Sequence, residues 1–115
     1  MEQENEIKSR LIDDLKAENR FWSYNQASIQ DVDDDVLIEM VLLYLDLNQI
    51  DLLFKIYPYH KIKKAWLERL VTQGDYYFTL NKFLAWYYFH AKRPGMYVRA
   101  MATRQLNRMA SYTKV

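Results

Sequence analysis

Apolar residues recur along the chain at helical spacing, in segments separated by short polar breaks. In residues 4–18, Ile7, Leu11 and Leu15 fall at i, i+4 and i+8 with Ile12 beside them, which predicts an amphipathic helix with a narrow apolar stripe. "FWSYN" (21–25) interrupts this pattern with three aromatics and reads as a plug joining an N-terminal arm, residues 1–20, to a helical domain, residues 21–115. Asp33 or Asp34 can cap a second helix, in which "VLIEMVLLYL" (36–45) is apolar at nine of ten positions, too many for one stripe. That helix is expected to be covered nearly all round, with Leu42 and Leu43 buried. A third helix, "QIDLLFKIY", is signalled by Asn48 and Asp51 and closed by Pro58. In a fourth, about residues 60–71, Ile62, Trp66 and Leu70 point inward while Lys61, Lys64 and Glu68 point outward, and "TQGD" ends it. A fifth, about 76–90, has 11 apolar residues among the 14 from Tyr76 to Phe89, with Leu80, Phe83, Leu84 and Tyr87 as its main stripe. Trp86 and Phe89 lie on a second face, so cover on more than one side is expected and Phe83 and Trp86 are assigned to the core. "KRPG" breaks the chain before a sixth helix, about 96–109, with Val98, Ala102, Leu106 and Met109 on one side and Arg99, Arg104 and Arg108 over the other.

No segment alternates with strand period and no internal repeat is visible. The predicted fold is all-α, an irregular bundle of five or six short helices in a single domain. Composition agrees: hydrophobic residues make up 50% of 115 residues and aromatics 16%, with only two Gly and two Pro, against disorder. Net charge is +1, but it is unevenly spread. Residues 1–54 hold 4 Lys/Arg and 13 Asp/Glu, residues 55–115 hold 12 and 2, so a net −9 adjoins a net +10. Such asymmetry fits two halves folded against each other, and it also fits an acidic or nucleic-acid partner for the basic half.

Several chemistries lack their residues. With no Cys, disulfides, thiolate metal sites and Cys nucleophiles are excluded. "MEQENEIKSR" has no signal-type apolar core, and the longest apolar runs fall far short of the ~20 residues of a membrane span. A cytoplasmic protein without a membrane segment is expected. "DVDDD" (31–35) places Asp31, Asp33 and Asp35 at odd positions of a calcium loop, but Val36 stands where the loop needs Gly and Leu42 where it needs Glu. Helix capping accounts better for the run. His60 and His90 adjoin no triad or zinc-helix pattern, and Gly74 and Gly95 are too isolated for a phosphate loop. No catalytic, cofactor-binding or metal residue is therefore assigned, and an enzyme is not expected.

Ten Tyr exceed what a core prefers, because a phenolic hydroxyl wants water or a partner. Aromatic and cationic residues mix around Tyr57, Tyr59, Tyr87 and Tyr88, a composition found at protein interfaces and usable for stacking nucleic acid. The candidate partner surface is Tyr59, Lys61, Lys64, Tyr88, Lys92, Arg93, Arg99, Arg104 and Arg108, expected to form one or two exposed patches.

Three stretches, "FWSYN", "IYPYHKIKKAWLERL" and "LNKFLAWYYFHAKRP", carry a likeness beyond composition. Together they resemble a family of small helical proteins of Bacteroidetes-type bacteria, a domain of unknown function, over about residues 21–94. The genes of that family often neighbour AbiEii-type nucleotidyltransferase toxins, so the resemblance implies an antitoxin-like or accessory role. The leading expectation is a non-enzymatic protein-interaction module, an antitoxin-like partner of a nucleotidyltransferase. The alternative is a DNA- or RNA-binding protein whose third and fourth helices form a helix-turn-helix-like pair, with Lys61, Lys63 and Lys64 facing phosphate. A homo-oligomer is compatible with either.

Overall fold

The apolar stripes become helices wherever a cap or a proline allows the chain to turn between them. A computed structural model describes residues 2–17 and 33–113, as α1 (Glu2–Ala17), α2 (Asp34–Tyr44), α3 (Leu47–Ile56), α4 (Tyr59–Arg69), a 3₁₀ segment (Val71–Tyr77), α5 (Phe78–Tyr87) and α6 (Pro94–Thr113). There is no strand among the described residues, and the protein is all-α. The aromatic plug at 21–25 and Asp31 lie outside the described residues. The chain divides into two compact units, Met1–Ile62 and Lys63–Val115, with the division inside α4.

In the first unit, α1, α2 and α3 pack on one another through Leu11, Ile12, Leu15, Leu37, Ile38, Val41, Leu42, Ile50 and Leu53, all buried. The segment expected to be an arm is thus seated in a core, because even a narrow stripe of Leu and Ile removes enough apolar surface from water to hold a helix in place. Helix α2 is less enclosed than its composition predicts. Leu37, Ile38, Val41 and Leu42 form its buried side, Leu43 is only half-buried and Tyr44 is exposed. Asp33 stands at its N-cap without a side-chain capping bond; the Asp33 carbonyl accepts from the Leu37 N–H at 2.9 Å. Helix α3 starts two residues before "QIDLLFKIY", at Leu47. Asp46 is its N-cap and Gln49 Oε1 accepts from the Asp46 N–H at 3.1 Å, the backward half of a capping box. Tyr57 is extended, as a residue before proline should be, and the Pro58 carbonyl accepts from the Ile62 N–H at 3.2 Å, so Pro58 both ends α3 and begins α4.

In the second unit, α5, α6 and the 3₁₀ segment pack together, and the core is built on Trp66. Its ring stacks on Phe89 (centroids 4.5 Å) and faces Tyr97 at 6.4 Å. The indole Nε1 donates to Asn81 Oδ1 at 3.0 Å, and Asn81 Nδ2 donates to the Leu70 carbonyl at 3.1 Å. Asn81, fully buried in the middle of α5, thereby satisfies both the tryptophan and a carbonyl just past the end of α4.

Two residues carry positive φ. Gly74 (φ 66°, ψ −135°) kinks the 3₁₀ segment in a conformation that side chains resist, although a Cβ there would meet nothing within 4 Å. His90 (φ 59°) forms the left-handed turn beyond α5, where the Ala91 N–H reaches the Ala85 carbonyl at 2.9 Å. Histidine is among the non-glycine residues enriched in that region, which gives His90 a backbone role.

Candidate partner-binding surface

Helix α5 turns Asn81, Leu84 and Ala85 inward and leaves Phe83, Trp86 and Tyr87 38%, 58% and 45% exposed. This corrects the expectation that Phe83 and Trp86 are core: Trp66, not Trp86, is the buried tryptophan. The physical reason lies in the helix's contacts. The 3₁₀ segment and α6 pack on α5, Asn81 is bonded to Trp66 and the Leu70 carbonyl, and Leu84 and Ala85 are buried on the same side. Residues 83, 86 and 87 are one helical turn apart on the other side and so share a face.

Those rings are organised among themselves. Phe83 stacks on Tyr87 (centroids 5.4 Å, planes 13° apart), and Trp86 leans on both, at 6.2 Å and 6.0 Å. Tyr88 continues the series edge-on to Tyr87 at 4.9 Å and is half-buried. An exposed cluster of three large aromatics on one turn is more than scattered surface apolarity, and such rings are the side chains that interfaces concentrate. A helical projection contained the signal for this exposure: Trp86 falls between Lys82 and Thr79, the polar positions of the helix, whereas the small Ala85 marks the side of close packing. The buried Asn81 obscured it, since it places a polar residue on the inward side.

The residues proposed from sequence for a partner surface separate into groups. Tyr59 is exposed in the first unit, with its ring 6.4 Å from that of Phe54. Lys61 is not an available cation: its Nζ donates to Asp34 Oδ2 at 2.9 Å and lies 5.3 Å from the Tyr57 ring. Lys64, Lys92, Arg93, Arg99, Arg104 and Arg108 are exposed in the second unit. On α6, Arg104 and Arg108 are four residues apart and form one row, while Arg99 lies well round the helix with its guanidinium 4.5 Å from the Phe78 ring centre. The apolar side expected for α6 holds at Val98, which is buried, but Leu106 and Met109 are exposed and Gln105 takes an inward position.

Asp34 gathers the polar contacts of the first unit. Its carboxylate accepts from the Tyr57 hydroxyl (2.7 Å), Lys61 Nζ (2.9 Å) and Lys8 Nζ (3.3 Å). Burial alone would raise its pKa, but the bonds from Tyr57, Lys61 and Lys8 outweigh it and hold the carboxyl down at about 2. Burial and the Asp34 charge push the Tyr57 phenol well above its ordinary range, so it remains a donor. The arrangement fixes a proton and two cations on one carboxylate, which ties α1, α2 and the residues flanking Pro58 together. Among the described residues no three His, Asp or Glu side chains converge as a metal site, and no helix is long and apolar enough to cross a membrane. No family model, curated protein or solved structure matches the chain.

Proposed function

We propose that the protein is a non-enzymatic interaction module whose docking face is the exposed side of α5, Phe83, Trp86 and Tyr87. The observation that carries this reading is the ring cluster itself. Three large aromatics kept half in water are costly for solubility and contribute nothing to the core described above, whereas Trp and Tyr at the centre of an interface supply much of its energy. The partner we propose is a protein, and the resemblance of the sequence points to its form: a nucleotidyltransferase toxin encoded beside the gene, held in an antitoxin-like complex in the cytoplasm. Titration of the adjoining gene's product with wild-type protein and with Trp86→Ala or Tyr87→Ala tests this. Each truncation is expected to weaken binding by about 2 kcal/mol or more while the helical circular dichroism stays unchanged. Equal affinity of wild type and both variants, or no binding at all, refutes it.

The second reading is nucleic-acid binding, and the specific observation in its favour is the Arg104–Arg108 row on α6. Under that reading Arg104→Glu with Arg108→Glu weakens binding to all sequences alike and flattens the salt dependence, because each lost phosphate contact removes about one released counterion. Trp86→Ala alone separates the two readings when duplex DNA and the protein partner are compared side by side.

A further inference from the structure

At the edge of α5 away from Tyr87, a groove of about 320 Å³ opens between the 3₁₀ segment, α5 and α6, with Val71, Val98 and Ala102 as its apolar lining and Phe78 as one wall. Two cations lie over that wall. Lys82 Nζ is 4.8 Å and the Arg99 guanidinium 4.5 Å from the centre of the Phe78 ring. Among the described residues no carboxylate pairs with either, although Asp75 lines the groove too. The Lys82 stem runs close to Gly95, where a built Cβ would lie 3.6 Å from Lys82 Cδ and 3.8 Å from the Phe78 ring, in ordinary van der Waals contact with both.

Two like charges held near one ring repel each other, and anionic groups brought to them would relieve the repulsion. The surrounding unit favours such groups, since residues 63–115 contain 10 Lys/Arg and 2 Asp/Glu. The apolar lining beside the cations would accept an aliphatic side chain. We infer that the groove and the cations beside it are a second recognition site, for an acidic amphipathic segment of a partner protein that sets carboxylates against Lys82 and Arg99 and an aliphatic side chain against Val71, Val98 and Ala102. This deepens the reading of the α5 face and rests on it for the kind of partner. Phe78, Lys82 and Trp86 succeed one another at i, i+4 and i+8, so a bound segment can cross from groove to ring cluster along one row of the helix.

The test uses fluorescence anisotropy of a labelled helix-forming peptide with Leu on one face and Glu on the other. Control peptides carry Lys in place of Glu, or Ala in place of Leu, and single-stranded and duplex DNA are titrated at the same ionic strength. The Glu/Leu peptide is expected to bind, the Lys peptide not to bind, and the Ala peptide to bind more weakly. Lys82→Glu with Arg99→Glu, and separately Ala102→Leu to fill the groove, are each expected to weaken the Glu/Leu complex by about tenfold or more. Arg99 is exposed and Lys82 half-buried, outside the core, so the charge reversals keep the test informative if the Ala102 variant fails to fold. Unchanged binding by the charge-reversed protein, equal binding of the Leu and Ala peptides, or tighter binding of either DNA overturns the inference. Trp86→Ala separates it from the proposed function. Loss of peptide binding in that variant alone leaves the ring cluster as the docking face and removes the groove, whereas loss in the charge-reversed protein alone keeps the groove and removes the ring cluster.

Discussion

Replacing Trp66 by Phe keeps an aromatic ring where it stacks on Phe89 but deletes the indole N–H, and with it the donor to Asn81 Oδ1 at 3.0 Å. Asn81 is fully buried, so no water takes the donor's place. The orphaned carbonyl oxygen costs about 1–3 kcal/mol. The smaller ring adds a cavity cost on top, since truncating a buried Trp fully to Ala is worth about 3–5 kcal/mol. A total near 3 kcal/mol is therefore expected for Trp66→Phe, a large share of the roughly 5–15 kcal/mol that holds a typical domain folded. Asn81→Leu tests the same bond from the other end. It removes two bonds, those to the indole N–H and to the Leu70 carbonyl, but the carbonyl still accepts from the Gln73 N–H at 3.1 Å, so only the indole N–H is left unpaired. In the double variant both polar groups are gone. Its destabilisation should fall short of the sum of the two singles by about 1 kcal/mol or more, because removing both partners avoids the unpaired group that each single change leaves. Urea unfolding followed by circular dichroism at a common slope gives all four corners of the cycle. Additivity within about 0.3 kcal/mol would show that the bond contributes nothing in solution and that Asn81 is buried for another reason.

Trp86→Ala should behave oppositely to Trp66→Phe: with the ring 58% exposed, the change in unfolding free energy is expected within about 1 kcal/mol, and a midpoint shift as large as that of Trp66→Phe would place Trp86 in the core after all. Gly74→Ala is expected to cost about 1–2 kcal/mol from backbone conformation alone, since a Cβ there meets no neighbour within 4 Å, and a thermal melt matching wild type would contradict the positive φ. His90→Gly should leave stability the same or higher while His90→Val lowers it, both read by thermal melting; a loss on changing to Gly would mean that the imidazole, not the backbone, matters. Asp34 has a folded pKa of about 2, below its ordinary 3.8, so its contribution is complete above about pH 4 and fades as pH falls towards 2. With 39% of the side chain exposed, screening reduces that contribution to about 1 kcal/mol, which Asp34→Asn should abolish along with its part of the acid dependence of unfolding; parallel pH profiles for the two proteins would refute the linkage.

The periodicity of the sequence determined which segments are helical, because burying one face of each requires apolar residues at 3.6-residue spacing and the chain supplies them from Ile7 to Val98. Pro58 determined where α3 stops, since it restricts the residue before it whatever lies around, and Pro94 stands at the first position of α6. Inward positions were legible where one stripe meets one neighbour, as for Leu11 and Leu15 on α1 and for Ile62, Trp66 and Leu70 along α4 and its end. Helix α5 was different. With apolar residues on every side, its sequence is compatible with several orientations, and composition ranks Trp86 with Trp66. Tertiary contacts fixed the inward face through Asn81, a polar residue in an apolar helix, whose amide can be buried there because Trp66 and the Leu70 carbonyl meet it. The cations divide for the same reason. Lys82 meets the ring of Phe78 four residues before it, a local contact, whereas Lys61 meets Asp34 from a distant helix, and a contact between residues that far apart in the chain leaves no local trace in it.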